Sequence, residues 1–310
     1  MTPPLVTVLI PAFNAERTIG RALDSVFRQA YQPLEVLVVD DASTDGTAAL
    51  VAAYGRSEIR LISLASNRGE CSVNEGLARA RGEYVAFLDA DDEWLDEKLK
   101  KQIAVLESNP RLSFVTCGCL FVDGMGRPFR EFGLHAPPFP PDEIWRGLLE
   151  APRVAKPCVV ARRSKLAAVG PFDPSLAVGG DQDMWIRLAL AGEVAFLPEL
   201  LVKAYEEPNS LTKRYSRRIA EFVLPMVRRH IAEQRARLSN REVRRILGQR
   251  YTWLGRSLYT AGSPASGLVF LIAAMLKGNQ INTNLWYLIT ASPPSRWAKA
   301  RLIRLLHRDG

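Results

Sequence analysis

The first 94 residues alternate between short apolar runs and segments with the period of a helix. Four apolar runs predict strands, the first of them rich in β-branched residues: "LVTVLIPAF" (5–13), "LEVLVVDD" (34–41), "IRLISL" (59–64) and "EYVAFLDADD" (83–92). The segment after the first run has the spacing of a helix face at Ile19, Ala22, Leu23, Val26 and Phe27. Residues 45–55 and 72–81 predict two more helices. Strands that alternate with helices and are apolar on both faces are typical of a parallel sheet covered on both sides.

The rest of the chain has a less regular pattern. It predicts a helix beginning near Trp94, a strand at 112–123, and a helix followed by a strand within 179–198. Residues 127–157 contain seven prolines and no strong period, so we expect an irregular segment there. From Ser210 onward the pattern favours helices, the last of them at 295–309.

Charge divides the chain into two regions. The formal net charge of +8 is the balance of −7 over residues 1–210 and +15 over residues 211–310. This asymmetry predicts a domain at 1–210 and a basic helical extension at 211–310 with different partners.

Targeting and cysteine patterns indicate a cytoplasmic protein. The N-terminal residues lack the basic and apolar regions of a signal peptide, and no run approaches the 18 or so apolar residues of a membrane span. The four cysteines suggest neither a zinc site nor a disulfide framework. We therefore expect a cytoplasmic location. Peripheral association with the cytoplasmic face of the membrane is compatible with this expectation.

Acidic residues follow two of the predicted strands. They are Asp40 and Asp41 after the second strand, and Asp89, Asp91 and Asp92 after the fourth. Ligands of such sheets bind beyond the carboxyl ends of the strands, so these loops and "PAFN" (11–14) should form one site. Carboxylates there suit Mg²⁺ or Mn²⁺ shared with the phosphates of a substrate. The alternative is a solvated acidic turn in front of a helix.

Known phosphate and nucleophile motifs are missing. No G-x-x-x-x-G-K-[ST], no G-x-G-x-x-G after the first strand and no G-x-S-x-G is present. Their absence argues against a P-loop NTPase, the usual dinucleotide-binding fold and an α/β-hydrolase.

Four motifs in order carry a family resemblance over roughly residues 4–212. They are "VTVLIPAFNAERTIGRALDSV", "EVLVVDDASTDGT", "SNRG" with "ARGEYVAFLDADDEW", and "VGPFDPSLAVGGDQDMWIRLALAG". Together they resemble an inverting family 2 glycosyltransferase of the GT-A fold. The resemblance implies a nucleotide-binding, mostly parallel sheet flanked by helices.

The resemblance also implies roles for individual residues. Pro11, Ala12 and Asn14 would line the nucleotide pocket, and Asp41 would bond the base with Asp40 beside it. Asp89, Asp91 and Asp92 would bind the ribose and the metal–diphosphate, with Asp91 and Asp92 at the metal. Asp181 would be the general base that deprotonates the acceptor. The residue pattern leaves open that Asp181 only caps the helix that begins near Gln182.

Three positions depart from the family pattern. Gly180 stands where members usually have Glu before the base, and Val73-Asn74 stands in a slightly shortened loop where many have Arg-Asn. Glu206 and Glu207 lie where members often carry Arg-x-His, and Lys213 and Arg214 could take over that contact with phosphate.

The implied activity is transfer of a sugar from a nucleotide-diphosphate sugar to a sugar or lipid-linked acceptor, in cell-surface polysaccharide synthesis. The basic region predicts attraction to an anionic membrane surface, whereas nucleic acid is an unlikely partner because no nucleic-acid module is recognisable. Two alternatives stay open: a nucleotidyltransferase, and a non-catalytic relative that binds nucleotide or membrane.

Overall fold

The computed structural model describes residues 2–206 and 216–277. The chain forms two compact units, one of Met1–Leu148 with Pro152–Leu211 and the other of Leu149–Ala151 with Thr212–Gly310.

The first unit alternates strands and helices as the apolar pattern predicts. Its strands are β1 (Val6–Ala12), β2 (Leu34–Asp40), β3 (Ile59–Ser63), β4 (Tyr84–Phe87), β5 (Glu93–Trp94), β6 (Leu112–Val122), β7 (Pro128–Phe132), β8 (Val160–Arg162) and β9 (Glu193–Tyr205). Its helices are α1 (Ile19–Phe27), α2 (Thr47–Ala53), α3 (Val73–Leu77), α4 (Lys98–Ser108), α5 (Ile144–Glu150, which runs into the second unit), α6 (Arg163–Val169) and α7 (Gly180–Ala191).

Within the described residues the strands form one sheet in the order β3-β2-β1-β4-β8-β6-β9-β5, with β7 beside β6. The neighbours β3, β2, β1 and β4 are parallel, as is the long β6–β9 pair, and the other pairings are antiparallel. The central strands are buried on both faces; all seven residues of β2 are buried. This arrangement confirms the predicted α/β fold with a mostly parallel sheet flanked by helices.

Two predictions about local structure are wrong. Trp94 does not begin a helix but lies in β5, where it pairs with Val202 and its indole N–H donates to the carbonyl of Pro157 at 2.9 Å. The helix begins at Lys98, after a left-handed Glu97. Residues 127–157 are not irregular throughout, because they contain β7 and α5. The strand is possible because its proline is the first residue, where no ladder hydrogen bond is lost.

The described part of the second unit is helical, as predicted. Its helices are α8 (Ile219–Glu233), α9 (Asn240–Thr260) and α10 (Pro264–Leu276). A capping box at Ser239 and Glu242 fixes the start of α9. No helix among the described residues is both long and apolar enough to cross a membrane. The predicted helix at 295–309, like Glu207, Lys213 and Arg214, lies outside the described residues.

Candidate active site

The candidate site lies at the edge where β1, β2 and β4 end. The strands run in register, with Ala12 opposite Asp40 and Leu9 opposite Phe87, so the loops that follow them emerge at the same edge. The structure thus brings the predicted acidic loops to one edge, as expected for a parallel sheet.

The first loop is shaped by Asn14. Pro11 and Ala12 are the last residues of β1, and Asn14 adopts a left-handed φ of 49°. Its side-chain oxygen accepts the amide N–H of Thr44 at 2.8 Å, and its own backbone N–H donates to the hydroxyl of Ser43 at 3.0 Å. Asn14 therefore ties the loop after β1 to the loop after β2.

Asp40 and Asp41 are buried and accept hydrogen bonds from backbone amides. Asp41 accepts the N–H groups of Arg68 and Gly69 at 2.7 and 2.8 Å, one on each carboxylate oxygen. Burial raises the pKa of Asp41, although these two hydrogen bonds oppose the shift. Asp40 accepts the N–H of Ser43 at 3.2 Å. The aspartates thus fix the loops around them, and the predicted contact of Asp41 with a base stays a prediction.

The acidic turn after β4 contains three carboxylates that lie in different environments. Asp89 forms an ion pair with the Nζ of Lys156 at 2.6 Å. Asp92 is only 5% exposed and accepts the N–H of Tyr205 at 3.0 Å. Burial, with the charges of Asp91 and Asp89, raises the pKa of Asp92 well above its usual range. Asp91 is partly exposed.

The turn suits a cation that is bound jointly by protein carboxylates and a substrate, rather than a cation that is held by protein ligands alone. Among the described residues, no group of three or more His, Cys, Asp or Glu side chains could hold a metal by itself. Burial raises the pKa of Asp92 most, and the charges of Asp91 and Asp89 add to it; a nearby dication would relieve this repulsion between the carboxylates. Mg²⁺ is commonly held by one or two carboxylates and the phosphates of a substrate. The partly exposed Asp91 suits that role, and Asp92 could join it on losing its proton.

Asp181 lies in the first turn of α7 at the same edge of the unit. Its carboxylate accepts the N–H of Gln182 at 2.7 Å. Burial raises the pKa of Asp181, while Lys156 and the Gln182 amide lower it and Asp89 raises it. The cap of α7 is Gly179, with a left-handed φ of 85°, so Asp181 does not occupy the cap position.

Asp183 has a structural contact, as its spacing predicts. Its carboxylate pairs with the Nε of Arg187 at 2.8 Å, one helical turn later. Arg187 also donates to the carbonyl oxygens of Val169, Gly170 and Pro171. The pair therefore anchors α7 to the chain that precedes it.

Two residues of the site escape the sequence prediction. Lys156 faces Asp89 and lies close enough to Asp181 and Glu70 to influence the pKa of each. Glu70 reaches from the loop after β3 and accepts the N–H of Gly180 at 2.9 Å. The sequence contains one signal that could have identified each residue. Lys156 is a charged residue beside Pro157 in an apolar run, and Glu70 is a charged residue directly after "SNRG".

Two of the departures from the family pattern have structural consequences. Val73 is fully buried, and the side-chain amide of Asn74 bonds both the N–H and the C=O of Phe172, at 2.8 and 2.9 Å. This pair of hydrogen bonds holds α3 to the segment that leads into α7. Glu206 donates its backbone N–H to the carbonyl of Val122 at 2.9 Å.

The family described as "Glycosyl transferase family 2" matches residues 7–167, just over half of the chain. The mannosyltransferase PcManGT of Pyrobaculum calidifontis, solved in complex with GDP-Man and Mn²⁺, has a similar structure, with a TM-score of 0.63 and 21% identity. The match covers 99% of this chain and 80% of that one. This likeness supports the predicted GT-A fold.

Relatives in sequence include glycosyltransferases of surface polysaccharide synthesis. The putative teichuronic acid biosynthesis glycosyltransferase TuaG of Bacillus subtilis (strain 168) is 38% identical over 138 residues, which are 43% of this chain and 54% of that protein. The Escherichia coli UDP-Glc:alpha-D-GlcNAc-diphosphoundecaprenol beta-1,3-glucosyltransferase WfgD is 38% identical over 112 residues, 36% of this chain and 44% of that protein. The matches thus span about half the length of these two relatives.

Proposed function

Because this chain belongs to glycosyl transferase family 2, we propose that it moves a sugar from a nucleotide-diphosphate sugar to a saccharide acceptor, with inversion at the anomeric carbon. The observation that carries the proposal is that Lys156 links two acidic groups. Its Nζ lies 2.6 Å from Asp89 in the turn after β4, and its charge lowers the pKa of Asp181 in α7. The carboxylate that we propose to bind the donor and the carboxylate that we propose as the base, on a separate helix, are therefore both influenced by one cation.

In this proposal Asp181 accepts the proton of the acceptor hydroxyl. The acceptor oxygen forms a bond to the anomeric carbon while the bond to the diphosphate oxygen breaks, and the diphosphate leaves with the electron pair. A base must reach the acceptor proton from the side opposite the leaving group, so it belongs on a different element from the residues that bind the diphosphate. The position of Asp181 in α7, apart from the turn after β4, supports this division.

Asp89, Asp91 and Asp92 would bind the ribose and the metal–diphosphate. Asp91, with Asp92 beside it, would hold Mg²⁺ or Mn²⁺, and a bound dication would stabilise negative charge on the departing diphosphate. Pro11, Ala12 and the loops fixed by Asn14, Asp40 and Asp41 would form the pocket of the nucleotide. PcManGT, which has a similar fold, was solved with Mn²⁺ and GDP-Man, and this supports a metal and a nucleotide sugar as the proposed ligands.

A lipid-linked saccharide is the proposed acceptor. The name of WfgD specifies such an acceptor, a saccharide on diphosphoundecaprenol. A transfer assay tests the proposal: the protein is incubated with Mn²⁺, a lipid extract of bacterial membranes and radiolabelled UDP-, GDP- or dTDP-sugars. We expect label in the organic phase with donors of one nucleotide class.

Two results would contradict the transfer proposal. Donor binding without any labelled product would favour the non-catalytic relative. Formation of a nucleotide sugar from a sugar phosphate and a nucleoside triphosphate, with release of pyrophosphate, would favour a nucleotidyltransferase.

The second unit is proposed to bind an anionic membrane surface at the cytoplasmic face. Residues 211–310 carry a net charge of +15, and α10 exposes four apolar side chains: Leu268, Val269, Ile272 and Leu276. Basic charge draws a helix to anionic lipid, and apolar side chains insert at the interface. Val269 and Leu276 are 64% and 83% exposed, so their replacement should leave the packing of the unit intact.

We expect Val269→Glu with Leu276→Glu to weaken binding to phosphatidylserine-containing vesicles by at least roughly tenfold, because the variant lacks two apolar side chains that would insert into lipid and carries two added negative charges. Co-sedimentation measures the effect. Leu50→Glu in α2, where Leu50 is 47% exposed, is the matched control and should bind like the wild type. Equally weak binding in both variants, or equal binding of wild type to neutral vesicles, would contradict the proposal.

A further inference from the structure

Glu70 fills the space that a side chain at position 180 would occupy. Its Oε2 accepts the N–H of Gly180 at 2.9 Å, and a Cβ added to Gly180 would lie 2.8 Å from that oxygen. Gly180 is the first residue of α7 and precedes Asp181 directly. The loop after β3 and the helix that carries the proposed base are therefore joined by one carboxylate.

The loop that carries Glu70 is fixed on its other side. Asp41 accepts the N–H groups of Arg68 and Gly69, the two residues immediately before Glu70. Asn74, four residues after Glu70, is tied to the backbone of Phe172. Glu70 is thus held between two anchored positions and does not depend on a free loop for its placement.

Charged groups surround Glu70 on the side of the site. Burial is the largest cause of the raised pKa of Glu70, which is about 8. The charges of Asp181 and Asp89 raise this pKa further, and the charge of Lys156 lowers it. Cys71, the next residue, has its own pKa raised by burial and by the charge of Glu70. The carboxyl groups of Glu70, Asp181 and Asp89 are therefore all influenced by the positive charge of Lys156, and Glu70 keeps its proton near neutral pH.

Resting on the proposed role of Asp181 as base, we propose that Glu70 is a positioning residue for it. The loop after β3 supplies the carboxyl group that α7 itself lacks at Gly180. Through the Gly180 N–H and the shared Lys156, Glu70 fixes the first turn of α7 and the direction of the Asp181 carboxylate. Glu70 does not contact the acceptor or the donor in this scheme; it acts only through Asp181.

Moving the carboxyl group from the loop to the helix tests the proposal. Glu70→Ala should lower kcat by about 10- to 100-fold, the cost of a misplaced catalytic group, with little change in donor affinity. Gly180→Glu alone should lose activity, since its side chain meets Glu70. The double variant Glu70→Ala with Gly180→Glu removes that clash and should recover most of the kcat lost in Glu70→Ala. The backbone at position 180 has room for a Cβ in this variant, because Glu70 provides the one close contact and the Cδ1 of Phe172 lies 4.0 Å away.

The pH profile separates positioning from a merely structural tether. We expect the wild-type kcat to change as the pH passes the Glu70 pKa of about 8. Glu70→Gln keeps an oxygen for the Gly180 N–H but cannot ionise, so this transition should be absent from its profile. A Glu70→Gln profile identical to the wild type would overturn the proposal. So would a folded, donor-binding double variant no more active than Glu70→Ala. If Asp181→Asn keeps wild-type kcat, the proposed function fails instead, whatever the Glu70 variants do.

Discussion

Asp181→Asn should abolish most of the transfer activity while leaving the protein folded and able to bind its donor. An amide cannot accept the acceptor proton, and general base catalysis contributes about 10²- to 10⁴-fold to a rate, so we expect kcat to fall by that factor. Donor affinity should change little because Asp181 is proposed to contact the acceptor hydroxyl, whereas residues of the turn after β4 are proposed to bind the diphosphate. Steady-state kinetics of transfer and calorimetry with the nucleotide diphosphate measure the two effects.

The same variant should be as stable as the wild type or more stable. The pKa of Asp181 is raised in the folded protein, chiefly by burial, so the stability of the wild type falls as the pH rises from the usual pKa of an aspartate to this raised pKa. Above the raised pKa the native state carries the full cost of ionising a desolvated carboxyl group. Asparagine removes this cost. For the same reason the wild-type kcat should fall as the pH is lowered through the raised pKa, since the base must be ionised.

Asp96→Asn is the matched control for this prediction. Asp96 is 80% exposed and lies 3.9 Å from Arg28, so the same chemical change there should leave kcat and the unfolding temperature unchanged. Wild-type kcat in Asp181→Asn would contradict the role of Asp181 as the base.

Asp91→Ala should weaken donor binding and remove its dependence on metal. Asp91 and Asp89 are the partly exposed carboxylates of the turn after β4, whereas Asp92 is buried, and the carboxylate of Asp89 forms an ion pair with Lys156. Removal of one charge-assisted interaction from a complex costs about 2 to 3 kcal/mol, which corresponds to a roughly 30- to 150-fold rise in Kd. The residual binding should be the same with and without Mn²⁺.

Asp96→Ala again provides the control, since it removes an exposed carboxylate from the same stretch of chain. If the Kd of Asp91→Ala still falls on addition of Mn²⁺, as in the wild type, the proposal that Asp91 holds the metal is contradicted.

Local pattern is enough to predict the sheet edge. The strands β1, β2 and β4 are short apolar runs with an acidic or polar residue at their last position or within two residues after it, and parallel pairing brings such ends together. The Asp183–Arg187 pair is equally predictable, because both partners lie on one helical turn. Features of this kind depend on residues close in sequence or on the direction of the strands alone.

The remaining features depend on partners far apart in the chain. Glu70 and Gly180 are 110 positions apart, and no periodicity links a glutamate in one loop to a glycine in another. Lys156 lies in a proline-rich segment without a period, although its ion pair with Asp89 is at the centre of the site. The local pattern at Trp94 predicts the start of a helix. This prediction is wrong because Trp94 pairs in a strand with Val202, which lies more than 100 residues later in the chain and leaves no local signal.

Calorimetric titration of the wild-type protein with UDP, GDP and dTDP, with and without Mn²⁺, tests the central claim that the turn after β4 binds a metal–diphosphate. We predict binding of one nucleotide that is tight only with Mn²⁺ present and that is weakened in Asp91→Ala. A folded protein that binds none of the three, or that binds equally well without Mn²⁺, would contradict the claim.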